Sequence, residues 1–138
     1  MRIANESVEL RVSAETGRIV HYGFLSGPNV LWENPRARET PSVFPGWQNW
    51  GGDKVWLWPE DDWRKWSPAT THPPGDPASA PWEVAAESRA LRMTSPVIPN
   101  YGLRIVRKIE LAPAGTGVVI SNRIEQIMQP ALELPVAI

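Results

Sequence analysis

The strand pattern that decides the fold lies at residues 103–111, which read LRIVRKIEL. Leucine and isoleucine at 103, 105, 109 and 111 alternate with Arg104, Lys108 and Glu110, the period of two that places successive side chains on opposite faces of a strand. Arg107 falls on the apolar face and interrupts it. Because a buried cation needs a polar partner, the pattern predicts a strand that carries one inward-facing arginine.

The next segment predicts the second strand of a long hairpin. Residues 113–117 read PAGTG, a typical turn composition. From Val118 to Ile127 the alternation returns, and Val118, Ile120 and Ile124 share a face with Asn122. Like the inward arginine, an inward asparagine needs a partner.

Shorter patterns on both sides of this hairpin also predict strands. Residues 7–25 predict a second hairpin, since two alternating runs are separated by the turn residues Thr16 and Gly17. No segment gives a convincing amphipathic helix. The sequence therefore predicts an all-β protein, an antiparallel β-sandwich. The predicted strands outside the long hairpin are Ser7–Val12, Arg18–Leu25, Val30–Trp32, Lys54–Trp58, Trp82–Ala86, Arg89–Ser95 and Leu132–Ile138.

Residues 35–82 differ in amino-acid composition from the rest of the chain. They hold nine of the 15 prolines, which remove ladder donors and so exclude regular sheet throughout. They also hold seven of the eight tryptophans, whereas disordered segments are poor in aromatic residues. This pattern predicts an ordered excursion packed over a sheet, a kind of segment that often carries function.

Composition limits the classes of function. The 138 residues fit a single domain, residues 1–138, and the 14 basic and 15 acidic residues are scattered. This balance argues against nucleic acid or an anionic membrane as a partner. The N-terminal residues contain no apolar run typical of a signal peptide, so a soluble protein is expected. No cofactor motif is present, and with no cysteine and two histidines no metal site is predicted.

The centre of the excursion predicts a binding surface. Residues 47–66 read WQNWGGDKVWLWPEDDWRKW and include six of the eight tryptophans. On a strand at 54–58, Trp56 and Trp58 share one face and Val55 and Leu57 the other, so the two indoles can form a stacking platform for a sugar. The candidate ligand-binding residues are Asn49, Trp50, Asp53, Lys54, Trp56 and Trp58.

Other interpretations of these residues remain open. In one alternative the tryptophans belong to the core, and the chain is a structural or assembly module. Asp53 follows two glycines that permit close backbone approach, and it can either bind a ligand or lie in a turn paired with Lys54 or an arginine. A sugar-active enzyme could use Asp53, Asp61 or Asp62 as acid or base, although neighbouring carboxylates usually point apart. The acidic run at 60–62 is otherwise a solvated loop or the first turn of a helix.

Four stretches together resemble an uncharacterised bacterial family with the galactose mutarotase-like fold. They are TGRI at 16–19, GPNVLW at 27–32, WQNWGGDKVWLWP at 47–59 and GLRI at 102–105. The resemblance covers essentially the whole chain, and its most specific part is the NWGGDK block at 49–54.

The resemblance implies a β-supersandwich, a fold used by aldose 1-epimerases, by domains of glycoside hydrolases and polysaccharide lyases, and by proteins that only bind sugars. The histidine and glutamate motifs of the epimerases have no counterpart at His21, His72 or any glutamate here. The resemblance further implies that the chain corresponds to an N-terminal half of the family's sandwich. Exposed strand edges would then favour a homo-oligomer.

Overall fold

The fold consists of two antiparallel sheets in a computed structural model that describes residues 1–39, 48–57, 81–98 and 101–129. Within these ranges no helix is found, so none could cross a membrane. The prediction of an all-β chain is confirmed. The first sheet has the order β1 (Arg2–Ala4), β2 (Val8–Ser13), β3 (Arg18–Phe24), and the second the order β4 (Glu83–Glu87), β5 (Ala90–Thr94), β6 (Leu103–Leu111), β7 (Val118–Gln126).

Side chains from both sheets meet in one hydrophobic core, as in a β-sandwich. The first sheet contributes the alternate residues of its hairpin and the second contributes the inner rows of β5 and β6. Burial of these branched and unbranched aliphatic chains is the main stabilising contribution to the fold. Core residues that are almost fully buried are Val8, Leu10, Ile19, Leu91, Met93, Ile105 and Ile109.

The long hairpin has the two predicted strands, although β7 ends at Gln126 rather than Ile127. Ile105 lies opposite Ile124, Arg107 opposite Asn122 and Ile109 opposite Ile120. Arg107 is 1% exposed, and its Nε donates to Oδ1 of Asn122 at 3.2 Å. The inward arginine is thus confirmed with Asn122 as its partner, whereas the predicted inward row of β7 is only partly buried, because Ile120 and Asn122 are exposed at this edge strand.

The loops at one end tie the two sheets together. Nδ2 of Asn5, in the β1–β2 connection, donates to the carbonyl oxygens of Ala112 and Gly115, both at 2.9 Å. The hydroxyl of Tyr22 on β3 donates to the carbonyl oxygen of Thr116 in the same β6–β7 loop. These contacts fix the first sheet against the end of the long hairpin.

Two strand predictions are wrong over the described residues. Val30–Trp32 forms no strand, because the side chain of Asn29 takes the ladder positions, accepting from the amide of Tyr22 at 3.0 Å and donating to the carbonyl of Val20 at 2.8 Å. Residues 54–57 form no strand either, because after the isolated bridge between Ile19 and Asp53 no neighbouring strand pairs with them.

The sequence pattern also missed one short strand. β1 was missed, since three residues are too few to show alternation; it is held by pairing of Ile3 with Leu10 on β2. The predicted strand Leu132–Ile138 lies outside the described residues, as do Trp58 and the acidic run at 60–62.

Candidate functional site

Two buried arginines, one from each sheet, hold the segment Gly51-Gly52-Asp53. Arg18, on β3, is 1% exposed and its Nη1 donates to the carbonyl oxygen of Gly51 at 2.7 Å. Arg107, on β6, pairs through Nη2 with Oδ1 of Asp53, and its Nη1 lies 3.4 Å from the Asp53 carbonyl oxygen. The excursion is therefore anchored in the interior between the sheets at this segment.

The backbone of this segment also pairs directly with β3. The amide of Ile19 donates to the carbonyl of Asp53 at 3.1 Å, and the amide of Asp53 donates to the carbonyl of Ile19 at 2.9 Å. Gly51 and Gly52 have φ values of 79° and 69°, and a Cβ on Gly52 would collide with the carbonyl oxygen of Ile19. The glycines do allow the close approach that the sequence indicated, but here the approached group is the protein's own strand.

Asp53 has the turn-like role that the sequence left open. Its partner is an arginine, Arg107, rather than Lys54. The carboxylate is still 39% exposed, so one side of it reaches solvent. Because the other side neutralises a buried guanidinium, the residue has a structural function independent of any ligand.

An open cleft of about 350 Å³ lies beside this anchored segment. The indole of Trp50 forms part of its wall, and the guanidinium carbon of Arg38 lies 5.6 Å from the ring centroid, a cation–π contact. The cleft is lined by Ser13, Thr16, Val20, Glu33, Asn34, Pro35, Ala37, Arg38 and Trp50.

The position of Trp50 is fixed by Asn34. The backbone amide of Asn34 donates to the carbonyl of Trp50 at 3.1 Å, and its Nδ2 donates to the carbonyl of Asn49 at 2.8 Å. Its Oδ1 accepts from the amide of Arg36 at 3.0 Å. Since the backbone amide and both side-chain polar groups of Asn34 are engaged within the chain, the residue shapes the wall of the cleft and leaves recognition to its neighbours.

Polar groups with spare hydrogen-bonding capacity face the same space. Thr16 is 5% exposed, and its Oγ1 has no hydrogen-bond partner within the described chain. Glu33 is exposed, and its backbone forms an isolated bridge with that of Gly51. Its carboxylate takes part in no ion pair among the described residues. A hydroxyl donor, a carboxylate acceptor and an aromatic face thus line one cleft.

The other predicted site residues do not join this cleft. Lys54 Nζ lies 3.1 Å from the centroid of the Trp56 ring, so one face of that indole is covered by the protein's own ammonium group. Val55 and Leu57, predicted to share the face opposite the tryptophans, are buried at 8% and 2% in the core. Asn49 is exposed, and its Oδ1 accepts from the amide of Gly51 at 3.3 Å.

Among the five predicted residues that the structure describes, Trp50 alone lines the cleft; Trp58 lies outside the described ranges. Sequence reasoning missed Thr16, Glu33 and Arg38, which come from a turn and a loop without periodicity. The usable signals were the Thr16-Gly17 turn and the Asn34-Pro35 pair, which marked breaks in regular structure at these residues.

Among the described side chains, no group of three or more histidine, cysteine, aspartate or glutamate residues is placed to hold a metal ion. Comparison of the chain with protein-family models, curated proteins and solved structures found no match. The resemblance to the galactose mutarotase-like fold therefore stays a hypothesis.

Proposed function

We propose that the protein binds a carbohydrate in the cleft beside Trp50, as a binding domain of galactose mutarotase-like type. The observation that carries the proposal is the shared position of the Trp50 ring and the unpartnered, buried hydroxyl of Thr16. Saccharides combine apolar CH faces with dense hydroxyl groups, and this cleft offers a counterpart to each.

The size and lining of the cleft support a small saccharide. Its volume of about 350 Å³ lies at the lower end of the range for small-molecule sites. Glu33 can accept from two neighbouring hydroxyls, while Arg38 presents several donors and Thr16 can donate or accept. Arg38 is 76% exposed and only loosely paired with Glu15, at 3.4 Å, so its guanidinium can turn toward a ligand at little cost.

The first experiment is a screen of mono- and oligosaccharides on a glycan array, followed by calorimetric titration of any hit. Trp50→Ala should weaken binding about tenfold, as expected when an aromatic contact of ~1.5 kcal/mol is lost. Thr16→Val should weaken binding as well, because it removes the hydroxyl and retains the branched shape.

The matched control is Trp32→Ala. Trp32 is 61% exposed and is not one of the residues that line the cleft, so its replacement removes an equally large ring from outside the lining. Equal losses in the two tryptophan variants, or no response to any saccharide, would contradict the proposal.

A sugar-active enzyme is the alternative that the sequence raised. Of the three aspartates proposed as acid or base, the structure describes Asp53. Its pairing with Arg107 favours a structural role. Asp61 and Asp62 lie outside the described residues. The alternative requires turnover that is lost when all three aspartates are replaced by asparagine.

A second candidate function, from a different class, is assembly through β7. This strand has β6 as its sole strand neighbour in the described sheet, and it exposes Val119 at 60% and Ile120 at 38%. Ile127 and Met128, which follow directly, are 45% and 52% exposed. An unpaired apolar edge favours pairing with a second copy.

Light scattering as a function of concentration tests this assembly. The homo-oligomer should dissociate when Ile120 is replaced by lysine, since a charge on an edge strand blocks pairing. A protein that stays monomeric at all concentrations would overturn the assembly proposal and leave carbohydrate binding untouched.

A further inference from the structure

Three basic side chains that are far apart in the sequence come together on the second sheet. Arg92 on β5, Lys108 on β6 and Arg123 on β7 line an open cleft of about 360 Å³. Glu87 is the one carboxylate in its described lining. Because each cation comes from a different strand, the sequence shows only scattered charges, and it is the topology that concentrates them.

The strand register places these cations within reach of one another. Arg92 lies directly opposite Lys108, and Lys108 lies opposite Ser121, which makes Arg123 its diagonal neighbour. Like charges directly opposite on a sheet are destabilising. An anion that contacts both side chains would turn this repulsion into attraction.

The existing ion pairs leave much of this positive charge available. Lys108 Nζ lies 2.9 Å from Oε1 of Glu110, and Arg123 Nη2 lies 2.6 Å from Oε1 of Glu125. An ammonium has three donors and a guanidinium five, so each cation keeps free donors. Arg92 forms no ion pair within the described part of the chain.

One neutral donor completes the lining. The hydroxyl of Ser121, directly opposite Lys108, is on the same face of the sheet as the three cations. The side chain of Asn122 belongs to the other face, where its Oδ1 accepts from Arg107. Charged and neutral donors on adjacent strands form a surface suited to a group with several acceptor oxygens.

We infer that this cleft binds an oxyanion group, the carboxylate, sulfate or phosphate of a small ligand, with Arg92 as its main contact. The planar fork of a guanidinium matches two oxygens of such a group, and Lys108 and Arg123 add point charges on either side. Glu87 sets a limit on affinity because its carboxylate faces the same space.

Calorimetric titration of the full chain with sodium sulfate, at an ionic strength held constant with sodium chloride, tests the site. Saturable binding is expected, and Arg92→Gln should weaken it about tenfold, as for loss of a charge-assisted hydrogen bond. Glu87→Gln should tighten it. Arg36→Gln is the matched control, because Arg36 is exposed and lines neither cleft, yet its replacement removes the same charge.

Parallel titrations with inorganic phosphate, glucuronate and glucose separate the sources of the oxyanion. Arg92-dependent binding of sulfate, phosphate or glucuronate supports the inference, and no binding of glucose is expected at this site. Absence of binding of sulfate, phosphate and glucuronate would overturn the inference, and equal losses in Arg92→Gln and Arg36→Gln would show an adventitious ion only. Trp50→Ala should leave sulfate binding unchanged, so the oxyanion site and the carbohydrate cleft are tested independently of each other.

Discussion

Trp50 and Asp53 are three residues apart and have opposite roles. The Asp53 carboxylate lies against a guanidinium that is 1% exposed, and its backbone pairs with Ile19 on β3. The Trp50 indole lines an open cleft and contacts the exposed Arg38. The difference shows that one loop can carry an anchor and a recognition surface, and that residue type alone does not tell them apart.

The largest effect is expected when the anchor loses its charge. Asp53→Asn keeps the shape of the side chain but leaves the Arg107 guanidinium buried without a counter-charge. The free energy of unfolding should fall by roughly 3 kcal/mol, at the lower end for a broken buried pair since one side of Asp53 is solvated. Denaturant unfolding monitored by circular dichroism measures the change.

Glu15→Gln is the control for that substitution. Glu15 pairs with Arg38 at 3.4 Å, and both side chains are well exposed, so no measurable shift in the unfolding midpoint is expected. If the two variants unfold at the same denaturant concentration, the carboxylate of Asp53 is not what anchors the segment.

The next largest effect concerns the glycine next to the anchor. Gly52→Ala should cost about 2–3 kcal/mol, because it adds strain at a positive φ and a collision with the carbonyl of Ile19. Gly115→Ala has a φ of 75° but open space around it, so it should cost only about 1 kcal/mol. The difference between the unfolding midpoints of Gly52→Ala and Gly115→Ala measures the cost of the collision with Ile19. Equal costs in the two variants would mean that β3 moves aside.

On the recognition side, Trp50→Ala should change stability less than either anchor substitution. The ring is half-buried, so the expected loss is about 1 kcal/mol, set by the apolar area that it covers. Binding should fall in the same variant, as described above. A loss of stability as large as that of Asp53→Asn would place Trp50 in the core and weaken its role as a recognition surface.

The smallest effect at neutral pH is expected far from both residues, at Glu9 on β2. The hydrogen bond from Arg2 Nε, at 2.6 Å, holds the pKa of the Glu9 carboxyl below its ordinary value of 4.5; burial opposes this and Arg11 adds to it. Below pH 4.5 the unfolded chain takes up this proton more readily than the folded one, so the stabilisation is present above that pH and is lost as pH falls.

Glu9→Gln should therefore remove part of the acid sensitivity of the fold. Unfolding midpoints of the variant and the parent chain should differ most at about pH 7 and converge toward about pH 3. His21 lies 3.3 Å from the same carboxylate, so the variant His21→Gln serves to separate its contribution. A constant difference across the pH range would mean that Glu9 contributes through packing alone.

The sequence predicted most of the sheet structure because alternation is a local signal. In residues 103–111 and 118–127 the period of two predicted the strands, and it identified Arg107 as an inward polar residue. Asn122, predicted to face inward as well, is exposed although it binds Arg107. It did not show that Asp53 is the second partner of Arg107, because 54 positions separate them and no periodic pattern links a loop to a strand.

The candidate site was less predictable for the same reason. Trp50 was found from composition alone, whereas Thr16 and Glu33 reach the cleft only through the folding of a turn and a loop. The predicted strand at 54–58 shows the limit of alternation as a signal. Val55 and Leu57 are both buried, yet the described residues 54–57 pair with no neighbouring strand and so form no sheet.

The hydrogen bonds of Asn5 with the β6–β7 loop have a consequence for the rate of folding. They join groups 107 and 110 positions apart, whereas each hairpin closes within a short stretch of chain. Closing so long a loop costs entropy before any contact compensates for it, and contacts of such high sequence separation slow folding. The two hairpins should therefore form early, with docking of the first sheet onto the second as the rate-limiting step, and Asn5→Ala, which weakens that docking, should slow folding as well as accelerate unfolding.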